Sequence, residues 1–195
     1  MTVERDPSTA FYIRRARPDD RERLVDIWWR SASATHRFLS MAQLEALLPD
    51  VRTLQLESLD TWVLCAQTAE AIGFLVMDGR SVDALFIAPD WLRRGGGSQL
   101  LRHARLLTGA LTVEVNEQND GALKFYLANG FAIAGRSPTD RAGRAYPLLY
   151  LEELPSRLGA SPKSAEYAQQ DVGIAPRGST ALMKPLRTKN TTPTI

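Results

Sequence analysis

The stretch P-D-W-L-R-R-G-G-G-S-Q-L-L-R-H-A, residues 89–104, sits between an apolar run, L-F-I-A (85–88), and a segment where Leu100, Ala104 and Leu107 recur at i, i+4 and i+7. The run before it and the helical spacing after it predict strand, loop and helix. Three consecutive glycines at that junction weaken any regular element, because Gly loses the most backbone freedom on folding. One reason to place them there is anion binding. The first turn of a helix has unpaired N–H groups and a partial positive charge, and glycines let a phosphate approach the backbone closely. Arg93 and Arg94 add favourable charge. The competing reading is a plain flexible loop with solvated arginines, and the loop alone does not decide. It is not a P-loop, since no Lys follows the glycines. It is not a dinucleotide fingerprint either, since the sixth position from Gly95 is Leu100.

Outward from the loop, the chain alternates strand and helix signals. F-Y-I-R-R-A-R (11–17) alternates as a first strand, and Pro18 with Asp19 and Asp20 suits the first turn of a helix carrying Leu24, Ile27, Trp28 and Ser31 on one stripe. A second helix is predicted from Met41 to about Leu59, with Leu44, Leu47, Leu48 and Val51 on one side. T-W-V-L-C-A-Q-T and A-I-G-F-L-V-M-D follow as strands, and Asp78-Gly79 is a hairpin signal leading into S-V-D-A-L-F-I-A. Beyond the glycine helix, L-T-V-E-V-N is a strand. Asn119 is a good N-cap for A-L-K-F-Y-L-A-N, which stops at Gly130. Phe131–Gly135 and Tyr146–Leu151 complete the set. The order β-α-α-β-β-β-α-β-α-β-β predicts an α/β (α+β) domain with a mixed sheet and helices on both faces.

Composition fits this. The 195 residues are 44% hydrophobic and 24% charged, the balance of a soluble globular domain. No apolar run approaches the roughly 20 residues of a membrane span, the polar start lacks the apolar core of a signal peptide, and the single Cys65 excludes an intrachain disulfide. A cytoplasmic location is expected. The net charge of +2 is uneven: residues 156–195 carry six Lys/Arg against two Asp/Glu, leaving about −2 on residues 1–155. The basic isoelectric point thus belongs to the tail and argues for neither nucleic-acid nor membrane binding. With four prolines and little periodicity, residues 156–195 read as a disordered basic tail, and residues 1–10 as a flexible N-terminus.

A second segment, N-D-G-A-L-K-F-Y-L-A-N-G-F (119–131), decides what the loop is for. Together with the element order and the glycines it resembles the GNAT superfamily of acyl-CoA N-acyltransferases, whose corresponding segment reads N-x-x-A-x-x-x-Y-x-x-x-G-F. Every fixed position matches. The family's phosphate loop, [QR]-x-x-G-x-[GA], falls on Leu92, Arg93, Arg94, Gly95, Gly96 and Gly97 when counted from Pro89; Leu92 departs from the pattern. A register starting at Arg93 would put Gly96 and Ser98 in the small positions. Within the superfamily, a bacterial subgroup of the YjaB type shares A-T-H-x-F-L (34–39), D-A-L-F-I (83–87), V-N-E-Q-N (115–119) and Y-P-L-L (146–149).

The resemblance covers residues 11–155 and implies a mostly antiparallel sheet of about seven strands with the fourth and fifth splayed around acetyl-CoA. Backbone groups of Leu85, Phe86 and Ile87 would pair with the pantetheine arm, residues 92–98 would cradle the pyrophosphate, Asn119 would contact pantetheine, and Tyr126 would give a proton to the leaving thiolate. The implied reaction is direct acetyl transfer to a primary amine, of a small molecule or a protein, in a ternary complex. No metal is expected, and a homodimer is compatible. The alternative is a non-catalytic acyl-CoA-binding module.

A lysine-like amine has a pKa near 10.4, so its neutral form is scarce at pH 7 and its proton must be removed. Asp83, which shares strand parity with Leu85 and Ile87, Glu114 and His36 compete as the base, and ordered water is a fourth candidate. Glu114, between Val113 and Val115, is expected on the face opposite the cofactor. His36, in the loop after the first helix, falls where the family builds its acceptor pocket, and Trp29, Phe38 and Tyr146 are the other candidates to line it. Cys65 would allow a ping-pong scheme, but mid-strand in V-L-C-A it reads as a buried small residue.

Overall fold

The computed structural model describes residues 11–53 and 60–154; the predicted N-terminus, the end of the second predicted helix and the basic tail lie outside the described residues. The elements are β1 (Phe11–Arg15), a 3-10 turn at Pro18–Asp20, α1 (Arg21–Thr35), α2 (Met41–Thr53), β2 (Asp60–Ala66), β3 (Ala71–Asp78), β4 (Ser81–Ile87), a second 3-10 turn at Pro89–Trp91, α3 (Gly96–Thr108), β5 (Thr112–Asn116), α4 (Asp120–Ala128), β6 (Phe131–Ser137) and β7 (Leu148–Glu153). Their order is the predicted one. None of the described helices is long and apolar enough to cross a membrane.

The seven strands form one sheet in the order β1-β2-β3-β4-β5-β7-β6, antiparallel except for the β4–β5 pair. Because side chains alternate along a strand, each strand feeds two cores. On one face Trp28, Ile27 and Leu24 of α1 and Leu44 and Val51 of α2 pack on Val63, Cys65, Phe74, Val76 and Phe86. On the other, Leu100, Leu101 and Ala104 of α3 and Tyr126 of α4 pack on Leu64, Leu75, Ile87, Val113 and Val115. Each large apolar side chain buried this way contributes about 1.5–3 kcal/mol.

The first helix starts differently from its sequence reading. Pro18–Asp20 form a 3-10 turn, and Asp20 is buried. Its carboxylate takes two bonds from the Arg14 guanidinium (2.6 and 2.7 Å) and one from the Arg17 N–H (2.7 Å). Asp20 therefore ties α1 to β1, beyond any favourable charge it places at a helix end. The start of α2 is a reciprocal cap: Gln43 N–H donates to Ser40 Oγ (3.2 Å), and Ser40 N–H donates to Gln43 Oε1 (2.8 Å).

One feature of the sheet makes the site. The β4–β5 ladder consists of Ser81↔Thr112 and Val82↔Val113 alone. Beyond them β4 stays paired with β3 up to Ile87, while β5 stays paired with β7 up to Asn116. A bulge at Asp83 of β4, between the Met77↔Val82 and Val76↔Ala84 pairs, adds twist where the two strands part. The sheet thus divides into β1–β4 and β5–β7–β6, joined at one end and open at the other.

Candidate active site

The gap between β4 and β5 is a cleft of about 90 Å3 lined by Asp83, Ala84, Leu85 and Phe86 from β4, Val113, Glu114, Val115 and Asn116 from β5, Asn119, Ala122 and Tyr126 from α4, and His36 from the end of α1. The splay brings Tyr126, Asp83, Glu114, His36, Leu85, Phe86 and Asn119 to one place.

Tyr126 is 6% exposed and held edge-on between Phe125 (5.1 Å) and Phe131 (5.3 Å). Burial alone pushes its phenol well above the usual tyrosine range, and no hydrogen bond to a described residue pulls it back. The group therefore keeps its proton and presents it as a donor. Asn119 is the N-cap of α4, its side-chain oxygen accepting from Ala122 N–H at 3.1 Å. That leaves its amide nitrogen for another partner.

His36 is not the surface imidazole that its loop position suggests. It is 9% exposed, with its ring against Phe38 (5.5 Å) and Phe86 (6.3 Å). Burial pushes its pKa down to about 4. Thr35 Oγ1 gives its only hydrogen to Ser31 O (2.8 Å), so the 3.0 Å contact between Thr35 Oγ1 and His36 Nδ1 requires an Nδ1–H donor. Nε2 then carries the lone pair. At neutral pH this is an uncharged imidazole and a weak base.

Glu114 turns away from Val113 and Val115, which pack in the α3 core, yet it still lines the cleft, because the splay opens both faces of the sheet there. Its side chain is 6% exposed, and both carboxylate oxygens accept from Arg141, one from Nε at 2.8 Å and the other from Nη2.

The glycine loop has the geometry of a backbone cradle. Arg93 (φ 59°) and Gly95 (φ 84°) are both left-handed, and Gly95 is the N-cap of α3. The first helical bond is Gln99 N–H to Gly95 O at 3.0 Å, so the N–H groups of Gly96, Gly97 and Ser98 precede any intrahelical acceptor. A side chain on Gly96 would meet Leu64 at 2.6 Å, and one on Gly97 would meet Phe125 at 3.0 Å. The glycines thus serve a left-handed turn and a close approach of α3 to its neighbours. Arg93 is exposed, the Arg94 guanidinium lies 4.9 Å over the Trp91 ring, and Leu92 is 40% exposed, capping the 3-10 turn. A chain of three N–H groups beside two arginines fits a pyrophosphate.

A larger cleft of about 290 Å3 adjoins the first and shares Asn116 with it. Phe38, Gln43, Leu47 and Asp50 line one side, and Asp140, Arg141, Arg144, Tyr146 and Leu148 the other. The Tyr146 ring packs on Phe38 (5.9 Å), and its hydroxyl accepts from Gln43 Nε2 at 2.6 Å. Tyr146 precedes β7 rather than starting it, since the following Pro147 has no N–H for the ladder. Trp29 does not join the pocket expected of it: it packs on the α1 core beside Trp28 (6.3 Å) and lines neither cleft, because one helical step turns it away. Cys65 is buried mid-β2, its thiol pushed up by burial, and lines neither cleft. Gln43, Asp50, Asp140 and Arg141 carry no motif. The Ser40…Gln43 capping spacing was the one legible signal among them.

Residues 57–133, which span β4, the glycine loop and α4, match the family described as acetyltransferase (GNAT) domain. A relative 44% identical over 142 residues, covering 71% of this chain and 95% of its own length, is the peptidyl-lysine N-acetyltransferase YjaB of Salmonella typhimurium. The chain belongs to the GNAT acetyltransferases and is an N-acetyltransferase. Among solved structures, the apo form of YjaB from Escherichia coli is similar at 40% identity and a TM-score of 0.71, covering 76% of this chain and 100% of the other. The PaiA N-acetyltransferase of Thermoplasma acidophilum, solved in complex with coenzyme A, shares the fold at 19% identity and a TM-score of 0.62, covering 74% and 99%.

Proposed function

We propose that this enzyme transfers the acetyl group of acetyl-CoA directly to the side-chain amine of a protein lysine, in a ternary complex. The observation that carries the reading is the Tyr126 side chain, buried and lining the cleft where β4 and β5 part. The lysine acceptor rests on the 44% identical relative and on the larger cleft, an open groove that suits an extended peptide.

In this reading the N–H groups of Gly96, Gly97 and Ser98 hold the pyrophosphate. Asn119 and the edge of β4 from Leu85 to Ile87, beyond the last β5 pair, hold the pantetheine arm. That edge also directs an N–H at the thioester carbonyl, where negative charge develops on attack. The amine forms the new C–N bond, the C–S bond breaks, and Tyr126 gives its proton to the departing sulfur, while the proton that the acylated nitrogen sheds returns through water to the Tyr126 oxygen. A phenol with so high a proton affinity can do this because the dry cleft raises the thiolate's affinity too.

No side chain here is a strong base. His36, at about 4, lies roughly six pH units below a lysine ammonium. Both oxygens of Glu114 accept from Arg141. The ammonium proton leaves to water, with the carboxylate of Asp83 lowering the cost of holding the cation meanwhile. We place the enzyme in the cytoplasm, since its one thiol, Cys65, is buried and suits a reducing compartment.

Initial velocities measured against acetyl-CoA at several concentrations of a lysine peptide, followed by thiol release, test the order of events. Intersecting double-reciprocal lines are expected. Parallel lines would show an acetyl-enzyme and overturn direct transfer.

A further inference from the structure

The larger cleft carries one carboxylate that has no ion-pair partner among the described residues. Asp140 holds Arg144 through Nε at 2.6 Å and also accepts from the N–H groups of Ala142 and Arg144, both at 2.9 Å. Arg141 is turned to Glu114. Each cation of the cleft is thus matched by a carboxylate built into the fold. Asp50 remains. It is half-buried, and among the described residues its carboxylate makes no ion pair; its backbone carbonyl accepts from Thr53 Oγ1 at 2.8 Å.

Its position is defined by the helix. Gln43, Ala46, Leu47 and Asp50 line the cleft at i, i+3, i+4 and i+7, one stripe of α2. The Gln43 end is the end nearer the chemistry: Gln43 bonds Tyr146, Tyr146 packs on Phe38, and Phe38 packs on His36 in the catalytic cleft. Asp50 lies two turns further along, about 10 Å from Gln43 at 1.5 Å per residue. An amine seated for reaction near Tyr126 does not reach that far. An extended peptide advances about 3.3 Å per residue, so a neighbour two or three positions from the reacting lysine does.

We propose that Asp50 is a specificity-determining residue: it forms a subsite for a cationic side chain two or three positions from the target lysine, and directs the enzyme to lysines in basic surroundings. The inference rests on the peptidyl-lysine reading above. Phe38, Leu47 and Leu148 give the apolar floor along which the stem of such a side chain would lie, with Asp50 meeting its head.

The test uses the full-length enzyme and peptides with a single lysine, with arginine placed in turn at −3, −2, +2 or +3 and glutamine elsewhere. The wild type is expected to show a kcat/KM about fivefold higher for at least one arginine position than for the all-glutamine peptide, the effect of an ion pair near 1 kcal/mol. In Asp50→Asn that preference should vanish, with the arginine peptides falling to the kcat/KM of the all-glutamine peptide. In the wild type, 0.5 M NaCl should shrink the preference. Equal rates for all peptides with the wild type, or an undiminished preference in Asp50→Asn, would overturn the subsite and leave the peptidyl-lysine reading standing. If no peptide is acetylated while small primary amines are, the peptide acceptor falls and the subsite with it.

Discussion

The two clefts of this molecule meet at Asn116 but are built on different principles. The smaller lies inside the sheet, where two strands part, and its key groups are fixed by packing: Tyr126 between two phenylalanines, His36 between two more. The larger lies between α2 and the loop before β7, and its groups are fixed by polar bonds among half-exposed side chains, Gln43 to Tyr146 and Asp140 to Arg144. A site for one invariant cosubstrate can be rigid and dry. A site for a variable acceptor uses adjustable contacts on the surface. The two should respond differently to substitution.

The sharpest break between them is expected from Tyr126→Phe. Removing the proposed proton donor should lower kcat by about 100- to 10,000-fold, the range for a lost general acid, while acetyl-CoA affinity by titration calorimetry stays within about twofold. Wild-type turnover would remove Tyr126 from the chemistry.

Next in size is a pH effect confined to the dry cleft. The folded-state pKa of His36 is depressed from 6.5 to about 4, so the unfolded chain binds the proton more readily between these values. Stability is full above about pH 6.5 and falls as the pH drops toward 4, by about 3 kcal/mol in all from this group. Urea unfolding at pH 7.5 and 4.5 should show the loss, and His36→Gln should flatten it. No inflection near 6.5 is expected in kcat/KM. Such an inflection, abolished in His36→Gln, would restore His36 as the base.

A smaller effect separates cradle from chemistry. Gly95→Ala has open space for its methyl but must hold φ near +84°, a strain of about 1–2 kcal/mol. The KM for acetyl-CoA should rise about tenfold with kcat nearly kept. An unchanged KM would show that the left-handed turn does not shape the binding loop.

The smallest effect belongs to the larger cleft. Tyr146→Phe keeps the ring on Phe38 and loses the bond from Gln43, worth under about 1 kcal/mol at a half-exposed site. The peptide KM should rise about two- to threefold with the KM for acetyl-CoA unchanged. A parallel rise in both would mean that the clefts are not independent.

The same division governs what could be read from the chain. Segment 119–131 holds an N-cap, a tyrosine one helix stripe away and a glycine stop within thirteen residues, so its spacing alone places Asn119 and Tyr126 on one short helix. The glycines and Pro89 lie equally close together. Local spacing survives folding almost unchanged, which is why the element order was legible and why Asn119 and Tyr126 could be joined in one segment. Trp29, a candidate for the acceptor pocket by sequence, lines neither cleft, because it packs on the core beside Trp28. The burial of His36 was not legible, because Phe86 from β4, distant in the chain, is what covers it.

The amino-acid sequence by itself determined the elements, their order, the glycine turn and the helix that carries Tyr126, since each depends on residues within a few positions of one another. Only the tertiary structure decided where β4 and β5 part, that Arg141 claims Glu114 across 27 residues, that Gln43 meets Tyr146 across 103, and that Asp50 of the larger cleft has no ion-pair partner among the described residues. These pairings join segments with no local signal in common, and a carboxylate's role here depends on which arginine the fold brings to it.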